Sequence, residues 1–71
     1  MEENKKLFLE KLGSLLRRCG YTKLDRLEYV SENSREYAVI HWAGNVYTDK
    51  ISIGGDSLLG IMRDITIALS K

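Results

Sequence analysis

The chain has 71 residues, 44% hydrophobic and 30% charged, with 11 basic residues against 10 acidic ones and a net charge of +1. That is the composition of one small globular domain near the lower size limit for unaided folding, and it excludes a disordered chain. A single cysteine and a single histidine exclude a disulfide framework and a zinc site, so neither metal nor cofactor is expected.

The opening stretch, MEENKKLFLEKL, mixes acids with bases and lacks the apolar run of a signal peptide or a membrane span. It reads as the start of a soluble cytoplasmic protein. Asn4 to Cys19 is expected to be helical, with Phe8, Leu12, Leu15, Leu16 and Cys19 on one face and Glu10, Lys11, Ser14, Arg17 and Arg18 off it. Gly20 stands where helices often stop, and Arg17 and Arg18 suit the negative end of the helix dipole. Gly13 inside the helix costs about 1 kcal/mol relative to alanine, so it either permits close packing or is merely tolerated. Cys19, on the apolar face, reads as a buried small hydrophobe. A nucleophile there would want exposure and a lowered pKa, which a helix C-terminus opposes.

Leu24 to Val30 is the first expected strand, followed by turn residues from Ser31 to Ser34. A turn centred on Asn33-Ser34 puts Leu27 opposite Ile40 and Tyr29 opposite Ala38. Arg35 to Ile53 reads as two further strands joined by a two-residue turn at Gly44-Asn45. That closure sets Trp42 opposite Tyr47, Ile40 opposite Asp49 and Ala38 opposite Ile51. Because side chains alternate, Leu27, Tyr29, Ala38, Ile40, Trp42, Ile51 and Ile53 then share one face, the expected core. Two independent turns agree on that face, and a one-residue slip would invert every side chain. Asp49 is the misfit on it, either an inward charge guarding an edge or a residue turned outward by a bulge. Gly54-Gly55 ends the third strand, Asp56 is the expected N-cap, and Ser57 to Ser70 the second helix. Leu58, Ile61, Met62, Ile65, Ala68 and Leu69 make its apolar stripe. Leu59 and Ile67 lie off the stripe, as ordinary exposed hydrophobes or as a contact with another subunit. The expected fold is a single α+β domain over residues 1–71: α-β-β-β-α, a three-stranded antiparallel meander with both helices on one face.

This order is similar to that of double-stranded RNA-binding domains, which implies the same topology. Those domains hold phosphates with lysines at the start of the second helix. The matching stretch here, Gly54-Gly55-Asp56-Ser57-Leu58-Leu59-Gly60, has no lysine and carries a carboxylate, so their RNA-contact residues do not carry over. The segment ISIGGDSLLGIMRDI, Ile51 to Ile65, resembles one in small bacterial proteins, some carried on mobile conjugative elements. That resemblance implies no activity.

Four features invite a chemical reading, each with a plain alternative. His41 lies on the outer sheet face with Thr48 opposite, and it lacks an obvious acid partner, so it reads as an ordinary strand histidine. Gly54-Gly55-Asp56-Ser57 lacks the spacing and lysine of a P-loop and reads as a strand-to-helix turn. Lys11, Arg17, Arg18, Lys23 and Arg26 form a basic patch for nucleic acid or an acidic protein, or a solvated helix end balanced by Glu10, Asp25 and Glu28. The outer face, with Val30, Tyr37, Val39, His41, Thr48 and Lys50, suits a modest protein contact or homodimer better than base stacking, and an exposed sheet face needs no partner. The expectation is a non-enzymatic binding or regulatory module whose partner is another protein or a second copy. The alternative is nucleic-acid binding through the basic end of the first helix.

Overall fold

The computed structural model describes residues 2–55 and 57–70, with side chains from residue 4 onward. Helix α1 (Glu2–Arg18) is followed by strands β1 (Leu24–Glu32), β2 (Arg35–Trp42) and β3 (Thr48–Ser52), and then by helix α2 (Leu58–Leu69). The strands form one antiparallel sheet in the order β1-β2-β3. Both helices bury their apolar faces in a single cluster with the sheet: Leu9, Leu24, Leu27, Ala38, Ile40, Ile53, Ile61 and Ile65. The expected α-β-β-β-α meander is the observed fold.

Register follows from the turns. Asn33 (φ 51°) and Ser34 (φ 64°) are both left-handed, which matches the twist of the flanking strands in a two-residue hairpin. Leu27 accordingly pairs with Ile40 and Tyr29 with Ala38. On the other side Ala38 pairs with Ile51 and Ile40 with Asp49. All seven residues expected on the core face are buried or half-buried.

The β2–β3 connection is longer than expected. β3 begins only at Thr48, and Asn45 folds back on itself, its Oδ1 accepting from the Tyr47 amide at 3.0 Å. Tyr47 is therefore 75% exposed and makes no strand pair with Trp42. The Trp42 indole Nε1 instead donates to Asp49 Oδ2 at 2.7 Å. No bulge turns Asp49 outward: it stays in register and supplies the acceptor that a half-buried indole N–H requires. The irregularity falls in β1, between Leu24 and Arg26. It lets Leu24 pair with Trp42 and sink into the core at 0% exposure.

The face of α1 is rotated from expectation. Leu9 is fully buried and Phe8, Leu12 and Leu16 pack beside it, while Leu15 is 56% exposed and Cys19 is exposed. Cys19 is not the buried hydrophobe its spacing suggested. Gly13 sets the rotation: a Cβ there would stand 3.1 Å from the Leu27 backbone nitrogen, so α1 seats its bare backbone directly on β1. The helix closes with Gly20 at φ 100°. The Tyr21 amide donates to Leu16 O at 3.0 Å and the Gly20 amide to Arg17 O at 3.1 Å, the paired bonds that satisfy the last carbonyls of a helix.

At its other end α1 is pinned to the sheet by Glu36. Lys5 Nζ donates to Glu36 Oε1 at 2.6 Å and the Tyr29 hydroxyl to Oε2 at 2.6 Å. These two hydrogen bonds, with the Lys5 charge, hold the Glu36 carboxyl below its ordinary value of 4.5. The cap of α2 is Ser57, whose Oγ accepts from the Gly60 amide at 3.1 Å. It takes the role expected of Asp56, which lies outside the described residues. Among the described residues no helix is long and apolar enough to cross a membrane.

Candidate functional site

Three surfaces hold the side chains that chemistry or binding would need. The first is the outer sheet face. Its pairing places Arg26 beside His41 and His41 beside Thr48, Glu28 beside Val39 and Val39 beside Lys50, and Val30 beside Tyr37. The six expected residues do share this face, yet its polar groups are largely spent on one another. His41 Nε2 lies 2.7 Å from Glu28 Oε1, which also stands 3.9 Å from the Arg26 guanidinium. Lys50 Nζ reaches across β2 to Glu32 Oε1 at 3.1 Å and lies 4.8 Å from the centre of the Tyr37 ring. Val39, flanked in register by Glu28 and Lys50, is only 8% exposed although no helix covers it.

His41 therefore does have an acid partner, contrary to expectation. The signal was available: Glu28 sits on the same face one pair diagonal from His41, within reach of long side chains. The pair is exposed, however, and His41 lines none of the surface depressions described below. Among the described residues no three His, Cys, Asp or Glu side chains gather as a metal site would require.

The second surface is a groove of about 480 Å³ between α1 and β1, lined by Arg17, Arg18 and Arg26 together with Ser14, Thr22, Glu10 and Asp25. Three of the five basic-patch residues thus meet. Lys11 lies in a neighbouring depression that it shares with Arg18, and Lys23 lines neither. Arg26 is within 3.7 Å of Asp25, so part of the positive charge is answered inside the groove.

The third surface is the outer side of α2. Ile61 and Ile65 face the core, and Ala68 and Leu69 pack against it. Leu58 and Met62, expected on the same stripe, remain 42% and 40% exposed, and Leu59 and Ile67 stand 75% and 51% exposed. Arg63 and Asp64 are the only charged residues in the helix. A groove of about 550 Å³ runs along this side past Leu59, Gly60, Met62, Thr66 and Ile67. A helix apolar on nearly all sides is normally covered on all of them, and a two-layer domain covers only one. No protein-family model, curated protein or solved structure matches the chain.

Proposed function

We propose that the chain is a small non-enzymatic binding module that acts through protein–protein contact, with the outer side of α2 as its contact surface. The observation that carries this reading is the exposure of Leu58, Leu59, Met62 and Ile67 on one short helix. Burying what is still exposed of Leu59 and Ile67 would contribute roughly 2–4 kcal/mol to an association, at 1.5–3 kcal/mol per fully buried side chain. The sheet face offers less, because breaking its ion pairs to seat a partner costs desolvation that new contacts must repay. The test is a photo-crosslinking residue in place of Leu59, compared with one in place of Tyr37 on the sheet. A protein adduct from position 59 and none from position 37 is expected. Adducts only from position 37 would return the contact to the sheet.

A second reading is nucleic-acid binding in the groove between α1 and β1, favoured by the convergence of Arg17, Arg18 and Arg26. It predicts salt-dependent retardation of duplex RNA or DNA, weakened by Arg17→Ala with Arg18→Ala. Absence of retardation at low salt removes it.

A further inference from the structure

We infer that the groove between α1 and β1 is a receptor for a single phosphate monoester group, carried by a small molecule or by a phosphorylated side chain. The inference rests on the same meeting of arginines as the nucleic-acid reading, and it narrows the ligand to one terminal group. The irregularity in β1 builds one wall. Neighbours in a regular strand point to opposite faces, yet Asp25 and Arg26 both line the groove. The register shift between Leu24 and Arg26 is what re-aims them, as a bulge does, and Asp25 Oδ2 stands 3.7 Å from the Arg26 guanidinium. The opposite wall carries Arg17, Arg18 and Ser14 of α1, with Thr22 at its end. Arg17 and Arg18 are exposed, and among the described residues neither has a carboxylate partner.

A backbone donor joins them. The two-residue turn makes Glu32 and Arg35 a hydrogen-bonded pair. Alternation then gives the bonds with β2 to Glu28–Val39 and Arg26–His41 and turns the Leu27 N–H away from β2, on the side of α1. Leu27 lines the groove at 3% exposure, and among the described residues its amide has no acceptor, a costly state for a buried donor. A Cβ at Gly13 would stand 3.1 Å from that nitrogen, so the bare backbone there spares the donor a covering methyl. Guanidinium forks, hydroxyls and an unmet amide together call for an oxyanion rich in terminal oxygens. A phosphate monoester offers three, with a charge of about −1.5 to −2, and arginine meets such oxygens in pairs. Glu10 and Asp25 also line the groove, so three arginines against two carboxylates leave one net positive charge. That suits one isolated group and not a chain of them. A nucleic-acid backbone continued along the groove would run onto Glu10 and Glu28, which line the next depression, about 330 Å³, where only Lys6 adds a new cation.

Proton–nitrogen NMR of the whole chain tests this, following the arginine Nε–H and backbone amide signals during titration with methyl phosphate. Dimethyl phosphate and acetate are titrated in parallel at matched ionic strength. Methyl phosphate should shift Arg17, Arg18 and Arg26 on one saturable curve and bind at least about tenfold more tightly than either comparison anion. Arg17→Gln and Arg26→Gln should each weaken it about tenfold, with spectra otherwise unchanged, whereas Lys11→Ala and Lys23→Ala should leave it as it is. Equal binding of dimethyl phosphate or acetate overturns the inference, as do shifts that never saturate. A peptide carrying one phosphoserine separates the two sources. Binding about tenfold tighter than methyl phosphate assigns the group to a protein, and equal or weaker binding assigns it to a small molecule. Gel retardation of duplex RNA separates the two readings of the groove. Retardation without any response to methyl phosphate overturns this inference and leaves nucleic acid standing, and no response to either overturns both.

Discussion

Gly13→Ala measures how tightly α1 is seated on the sheet. Relief of glycine's helix penalty alone would stabilise the fold by about 1 kcal/mol. The added methyl, however, arrives 3.1 Å from the Leu27 backbone nitrogen, 3.5 Å from its Cγ and 3.6 Å from its Cβ. The last two distances are ordinary contacts, while the first is closer than the roughly 3.5–4.0 Å optimum for carbon neighbours. What the methyl strikes is main chain of β1, which cannot rotate aside. α1 must lift by a few tenths of an ångström, loosening Leu9, at 0% exposure, in the core it shares with the sheet. Overpacking of that kind costs about 1–3 kcal/mol, so the net change runs from neutral to about 2 kcal/mol of lost stability. Gly13→Leu should cost about 3 kcal/mol or more, a large share of what a domain this small possesses. Ser14→Ala, exposed one position along, should gain a few tenths by propensity alone. Urea denaturation followed by far-ultraviolet circular dichroism at one fixed protein concentration compares the three. If Gly13→Ala stabilises by the full 1 kcal/mol with an unchanged m-value, the helix is not seated on its bare backbone and the reasoning fails.

Three further outcomes are expected. The Glu36 carboxyl is held low in the folded state, so its contribution is complete above its ordinary value of 4.5 and is lost as pH falls through the lower folded value. Glu36→Gln should flatten the acid limb of a stability–pH curve there; an unchanged slope would mean other carboxyls set it. Ser34→Gly relieves a non-glycine residue at φ 64°, and thermal unfolding should show a gain of about 1 kcal/mol, less the extra entropy of the unfolded chain. A loss would mean that the Ser34 side chain does more than occupy the turn. Ser57→Ala should cost about 1 kcal/mol by freeing the Gly60 amide, and Ser57→Asp should keep most of the stability. Equal losses from both substitutions would deny Ser57 the cap.

Much of the candidate site could be read without coordinates. Membership of the outer sheet face followed from alternation, and so did the position of Glu28 on it; what escaped was the reach of the side chains. A diagonal pair such as His41 with Glu28, or a lysine that crosses a whole strand as Lys50 does to meet Glu32, depends on rotamers that spacing does not specify. The surplus of apolar residues on α2 was visible as Leu59 and Ile67. The larger extent of that surface, through Leu58 and Met62, was not, because the angle at which a helix rolls on its sheet decides which flank stays wet.

The amino-acid order by itself determined the element sequence, the two antiparallel registers and the dry side of the sheet. Each depends on local rules: left-handed turn residues at Asn33-Ser34, and period-two alternation that admits no compromise in register. Tertiary structure alone decided the roll of α1, where Leu9 replaced Leu15 at the interface because Gly13 allows the helix backbone to touch β1. The longer β2–β3 loop has a local cause, an Asn45 side-chain bond to the Tyr47 amide that stands in place of the tighter turn. The seating of α1 is set by contact between Gly13 and Leu27, far apart in the chain, which no window of neighbouring residues contains.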